Sequence, residues 1–82
     1  MSNAIIGIAL PANVVDMVRW MLADLINAPD SLSVAVKLGE VYGSLMTLER
    51  LQRLNHANAG RIYQHAADLA REREKVLMEK QL

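Results

Sequence analysis

The sequence predicts an all-α fold in which a short helix packs as a hairpin on a long, heptad-bearing helix, and the long helix oligomerises. Three observations carry that prediction. First, Val34, Val41, Leu48, Asn55, Ile62, Leu69 and Val76 recur every seven residues, and all but Asn55 are branched and apolar. A ladder of this period keeps one seam of a helix facing a partner helix over many turns. Second, Phe is absent and there is one Trp, whereas Met, Leu, Ala and Val are plentiful, which suits helix packing better than a sheet. Third, 82 residues with 52% apolar content form one domain, 1–82, of a size that is marginally stable without a staple, a metal or a partner. There is no cysteine for a disulfide, and two histidines are too few for a structural zinc site, so oligomerisation is the remedy left.

Residues 1–10 read as an apolar arm, Ala4-Ile5-Ile6-Gly7-Ile8-Ala9-Leu10, that packs on the helices as a short strand or serves as a partner-contacting tail. No basic residue precedes it, which argues against a signal peptide. Asp16, Arg19 and Asp24 fall inside the roughly 20 apolar residues that a membrane span needs. A soluble, cytoplasmic protein with no membrane partner is expected.

Pro11 suits a first helical turn, and Val14, Val15, Val18, Met21, Leu22, Leu25 and Ile26 follow at helical spacing, giving helix one over about residues 12–27. Asn27-Ala28-Pro29-Asp30 stops it, and Asp30 or Ser31 caps the next helix. That second helix carries two apolar stripes in its first half: the ladder, and Leu32, Ala35, Gly39, Tyr42, Gly43 and Met46 on a neighbouring face. Gly39 and Gly43 permit close approach, so helix one is expected to bury its stripe there as an αα-hairpin.

The stretch Asn55-His56-Ala57-Asn58-Ala59-Gly60 decides the architecture. Read as helix, it leaves one helix over 31–78, roughly 70 Å long, which requires a second chain to cover it. Read as a C-cap and turn, it breaks the chain into helices over 31–54 and 61–79 and gives a three-helix bundle. The preserved heptad phase favours the continuous helix. The oligomer seam then comprises Val34, Leu38, Val41, Leu45, Leu48, Gln52, Asn55, Ala59, Ile62, Ala66, Leu69 and Val76. In such a seam the amides of Gln52 and Asn55 penalise shifted registers.

Ala35, Gly39 and Leu45, among Val34, Leu38 and Leu48, have the Ala-x3-Gly-x5-apolar spacing of a helix-turn-helix unit. Over about a quarter of the chain this segment resembles bacterial and phage helix-turn-helix regulators and small terminase subunits. The resemblance implies a DNA-binding regulator as the alternative function, with Gly39 in the turn. The chain departs from that pattern at Glu40, and Glu40, Tyr42, Gly43, Ser44 and Thr47 supply no Lys or Arg for phosphates or guanine edges.

Nine basic residues balance nine acidic ones, so the overall field points to neither nucleic acid nor an anionic membrane. Arg50, Arg53 and Arg71 each have an acidic residue within about one turn, and Arg61 has Asp68 about two turns on, so the stripe is read as a solvated face. His56 and His65 are nine residues apart and lie on opposite sides of a continuous helix, so they share no ligand. Tyr63, His65 and Asp68 form an interface cluster sooner than an acid–base site. There is no di-iron ligand pair, phosphate loop or nucleophile motif. No catalytic, cofactor or metal site is therefore expected, and the protein is read as a non-enzyme.

The functional expectation is a small helical interaction module that self-associates and binds a larger protein as adaptor, assembly factor or inhibitor. By analogy of size, phages and mobile elements carry such chains. Its candidate partner surface is the arm (Ile5, Ile6, Ile8, Leu10), the edge of helix one at Trp20, and the outer arginines Arg50, Arg53 and Arg61.

Overall fold

The chain folds back where the heptad ladder favoured a continuous rod. The structure, a computed structural model, describes residues 4–80, in the order β1 (Ala4–Ile5), β2 (Ile8–Ala9), α1 (Ala12–Ile26), α2 (Ser31–Arg50) and α3 (His56–Lys80). Its longest dimension is 44 Å, too short for the rod that 31–78 would make as a single helix.

The reversal is a Schellman turn at residues 51–54, upstream of the glycine that suggested a break. The Gln52 N–H donates to the Glu49 carbonyl at 3.0 Å and the Arg53 N–H to the Leu48 carbonyl at 2.9 Å. These bonds satisfy the last carbonyls of α2, and Gln52 takes the left-handed conformation with φ 58°. Leu54 is buried beneath the turn. Asn55 then caps α3, its Oδ1 accepting from the Asn58 N–H at 2.8 Å. Gln52 and Asn55 are exposed turn residues, and Gly60 is an ordinary residue of α3.

The ladder is consequently spent inside the chain. Val34, Val41, Leu45 and Leu48 of α2 and Ala59, Ile62 and Ala66 of α3 are all buried in one core, with Leu38 and Leu69 packed against it. Beyond Ala66 the buried positions leave the seven-residue phase: Ala70 and Leu77 are buried, whereas Val76 is 38% exposed. A straight helix of 3.6 residues per turn drifts from a strict seven-residue repeat by about 20° per heptad, so the residue after each ladder position turns inward.

α1 packs on both α2 and α3 through Val14, Val15, Val18, Leu22 and Leu25. It does not use the second stripe of α2. Leu32, Ala35, Gly39, Tyr42 and Gly43 are exposed, and no atom lies within 4 Å of where a Cβ at Gly39 or Gly43 would stand. Asp30 caps α2 by accepting from the Ser33 N–H at 2.7 Å, while Arg73 Nε donates to the Ala28 carbonyl at 2.8 Å and Ser31 Oγ to Glu74 Oε2 at 2.9 Å. The α1–α2 connection is thereby tied to the second half of α3.

The arm is a two-stranded antiparallel hairpin, with Ala4 opposite Ala9 and Ile5 opposite Ile8. Positive φ at Ile6 (45°) and Gly7 (81°) gives its two-residue turn the I′ form that matches strand twist. Ile5, Ile8 and Leu10 are buried, and Arg19 and Arg61 donate to the carbonyls of Ala4 (3.3 Å) and Ile6 (3.4 Å). Residues 1–3 of the arm lie outside the described residues.

Candidate protein-interaction surface

The amphipathic period of α1 that sends Val14, Val18 and Leu25 inward places Met17 and Trp20 outward, one turn apart. Trp20 is 79% exposed, although an indole normally contributes most when covered. Met17 also forms one wall of a groove between α1 and α2. The other wall is Glu40, Gly43, Ser44, Thr47 and Leu51, the floor is Leu48, and the volume is about 590 Å³. On its far side Met17 borders a second hollow with Asp16, Trp20, Met21 and Asp24.

One apolar tract therefore runs from Trp20 across Met17 to Leu51, which is 62% exposed. Its rim carries Asp16 and Asp24 on α1 and, on α2, Glu40, which is paired with Lys37 at 3.6 Å. Glycine at position 43 keeps the α2 wall low, and the Thr47 hydroxyl is occupied in donating to the Gly43 carbonyl at 3.0 Å. Chemically the tract can hold apolar side chains of a partner and attract basic ones at its edge.

The expected partner residues are not brought together. Ile5, Ile8 and Leu10 are core, and Ile6 alone of that group presents its side chain. Arg61 holds the hairpin turn, while Arg50 and Arg53 are exposed near the α2–α3 turn. Trp20 is where the sequence placed it, on the outer edge of α1. Met17 and Leu51 were missed. Met17 lies three residues before Trp20 on the polar side of α1, a legible signal, whereas Leu51 reaches the surface only because the chain turns after Arg50.

Lys37 and Glu40, His56 and Glu49, Arg71 and Asp68, and Lys75 and Glu72 form short-range pairs. His56 Nδ1 lies 3.2 Å from Glu49 Oε2, beside an edge-to-face contact of Tyr42 and Tyr63 with ring centroids 5.6 Å apart. Asp68 is engaged by Arg71 and by Gln64 Nε2 (3.1 Å), so the three-residue cluster of Tyr63, His65 and Asp68 is not formed around that carboxylate. Asp30 has its pKa lowered below the usual carboxylate value by the Ser33 N–H it accepts and by the Ser33 side chain. Among the described residues no group of three or more His, Cys, Asp or Glu could hold a metal ion, and no helix is long and apolar enough to cross a membrane.

α2 runs without interruption from Ser31 to Arg50, and Gly39 has no positive φ. The turn that a helix-turn-helix unit requires at Gly39 is therefore absent, and Ala35 and Gly39 face solvent. The chain matches no protein family, no curated protein and no solved structure.

Proposed function

We propose that this chain is a non-enzymatic interaction module that self-associates and binds a larger protein through the tract formed by Trp20, Met17 and Leu51. The observation that carries this reading is the juxtaposition, on one face, of an indole left 79% exposed with an open apolar groove beside it. Such side chains add nothing to the core and favour association when covered, since aromatic and methionine anchors dominate binding energy at interfaces. The carboxylates of Asp16 and Asp24 on the rim define the occupant further: an amphipathic segment whose apolar residues enter the groove and whose flank beside α1 is basic.

A photoreactive aromatic residue placed at position 20, in the cells that make the protein, tests this. The expected result is a discrete adduct with one larger protein, lost in Met17→Glu and Leu51→Glu. Adducts only with a second copy, or an adduct indifferent to both substitutions, would overturn it, as would salt-dependent DNA binding that those substitutions leave unchanged.

A further inference from the structure

α2 and α3 run antiparallel, so Tyr42 stands across from Tyr63 and Glu49 across from His56. Both pairs are in contact: the rings meet edge to face with centroids 5.6 Å apart and planes at 79°, and His56 Nδ1 lies 3.2 Å from Glu49 Oε2. The rung between them sets Leu45 and Met46 against Ala59 and Gly60, which are too small to fill it. A hollow of about 150 Å³ is left, with two phenol rings at one end and a carboxylate at the other.

Three features of its wall go unexplained by the packing of the chain. A Cβ at Gly60 would meet nothing within 4 Å, and glycine inside a helix is destabilising, so the smallness of this rung has no use in the core. Tyr42 is 53% exposed, yet its ring is held in place by Tyr63. The Glu49 side chain is only 22% exposed, whereas that of its partner His56, at 93%, stands in solvent. A neutral imidazole donates one N–H to a carboxylate and leaves its charge intact. Among the described residues no Lys or Arg lines the hollow.

We propose that this hollow binds the head of a methylated ammonium ion, a cation of side-chain size. Aromatic faces and a carboxylate both attract positive charge. Tyr42 and Glu49 are seven residues apart, roughly 10 Å of helix, so a cation at the middle rung lies about 5 Å along the axis from each, within reach of an aromatic face. A plain ammonium would surrender water from three N–H donors and find one carboxylate in return. Methyl groups on the nitrogen instead pack against Leu45, Met46 and Ala59, which offer no acceptor. The hollow is smaller than the roughly 300 Å³ at which small-molecule pockets begin, so it takes the head alone and leaves the carrier outside. It lies between α2 and α3, apart from the Trp20 tract between α1 and α2, and does not rest on that reading.

An NMR titration of the full chain at matched ionic strength, in mildly alkaline buffer that keeps imidazole neutral, compares choline with its uncharged carbon isostere, dimethylbutanol. Choline is expected to shift the Met46 methyl and the Ala59 and Gly60 amides saturably, with a dissociation constant on the order of a millimolar, and the isostere to bind roughly tenfold more weakly. Glu49→Gln and Tyr42→Leu, both at partly exposed side chains, should each weaken choline about fivefold or more while circular dichroism stays unchanged. Gly60→Leu fills the middle rung and should abolish the shifts. Short peptides carrying trimethyllysine or plain lysine separate the sources of the head. Tighter binding of the methylated peptide than of choline assigns it to a protein side chain, the reverse order assigns it to a free small molecule, and either supports the site. Equal binding of choline and the isostere, choline shifts that Glu49→Gln and Tyr42→Leu both leave unchanged, or preference for the plain lysine peptide would overturn it.

Discussion

Gln52 holds φ at 58° although it carries an ordinary side chain, and Ile6 does the same at 45° with a β-branched one. Both are exposed, so neither conformation is enforced by burial of its own side chain; each is set by the turn around it. A left-handed residue other than glycine costs roughly 1–2 kcal/mol. Gln52→Gly is therefore expected to stabilise the fold by about 1 kcal/mol, less than the full relief because glycine also loosens the unfolded chain. Urea denaturation followed by circular dichroism measures it, and a loss of stability would mean that Gln52 contributes through its side chain. Asp30 carries a pH signature of the same local kind. Its folded pKa is lowered, first by the Ser33 N–H bond and then by the Ser33 side chain, so the cap's stabilisation is fully present above the unfolded carboxylate value. It is lost as pH falls through the depressed folded value. Thermal melts of wild type and Asp30→Ala should differ at neutral pH and converge in strong acid.

At the scale of the element, the α2–α3 reversal is set by which residues cap. Gly60 lies inside α3, exposed, with nothing within 4 Å of an added Cβ, so Gly60→Ala should raise stability by about 0.5–1 kcal/mol. A destabilised variant would place Gly60 in a turn after all. The sequence announced α1 almost to the residue, because Pro11, the apolar period and the Asn27 to Asp30 stop all agree there. It hid the turn at 51–54 because a Schellman motif ordinarily advertises itself with glycine, and here the position is Gln52. The heptad phase misled in a related way. Val34, Val41, Leu48 and Ile62 are all buried, as the ladder requires, but an intramolecular antiparallel pair needs an apolar stripe just as an intermolecular one does. Period alone identifies the stripe and leaves its partner open. Of the candidate surface, Trp20 was legible from helical phase, whereas the groove beside it depends on how α1 crosses α2, a tertiary fact.

Among the described residues a single core joins the hairpin, all three helices and both connections. Ile62 sits at 0% exposure among that core, and removing three of its carbons should cost about 2–5 kcal/mol, a large share of what so small a domain has. Ile62→Ala is therefore expected to lose α1, α2 and α3 in one transition, seen as a single step in circular dichroism; separate steps would show that the hairpin and α1 form a unit of their own. Trp20 should behave differently from the helices in that experiment. Its indole is already in water in the folded chain, so its emission should move little when the chain unfolds, although it is the sole tryptophan. The same exposure makes it a reporter for association. When a partner covers the tract from Trp20 to Leu51, the indole passes from water into an apolar setting and its emission should shift to the blue while the helical signal stays unchanged. Emission that is blue-shifted in the isolated chain and moves to the red on unfolding would show that Trp20 is packed in solution and that the open face is closed.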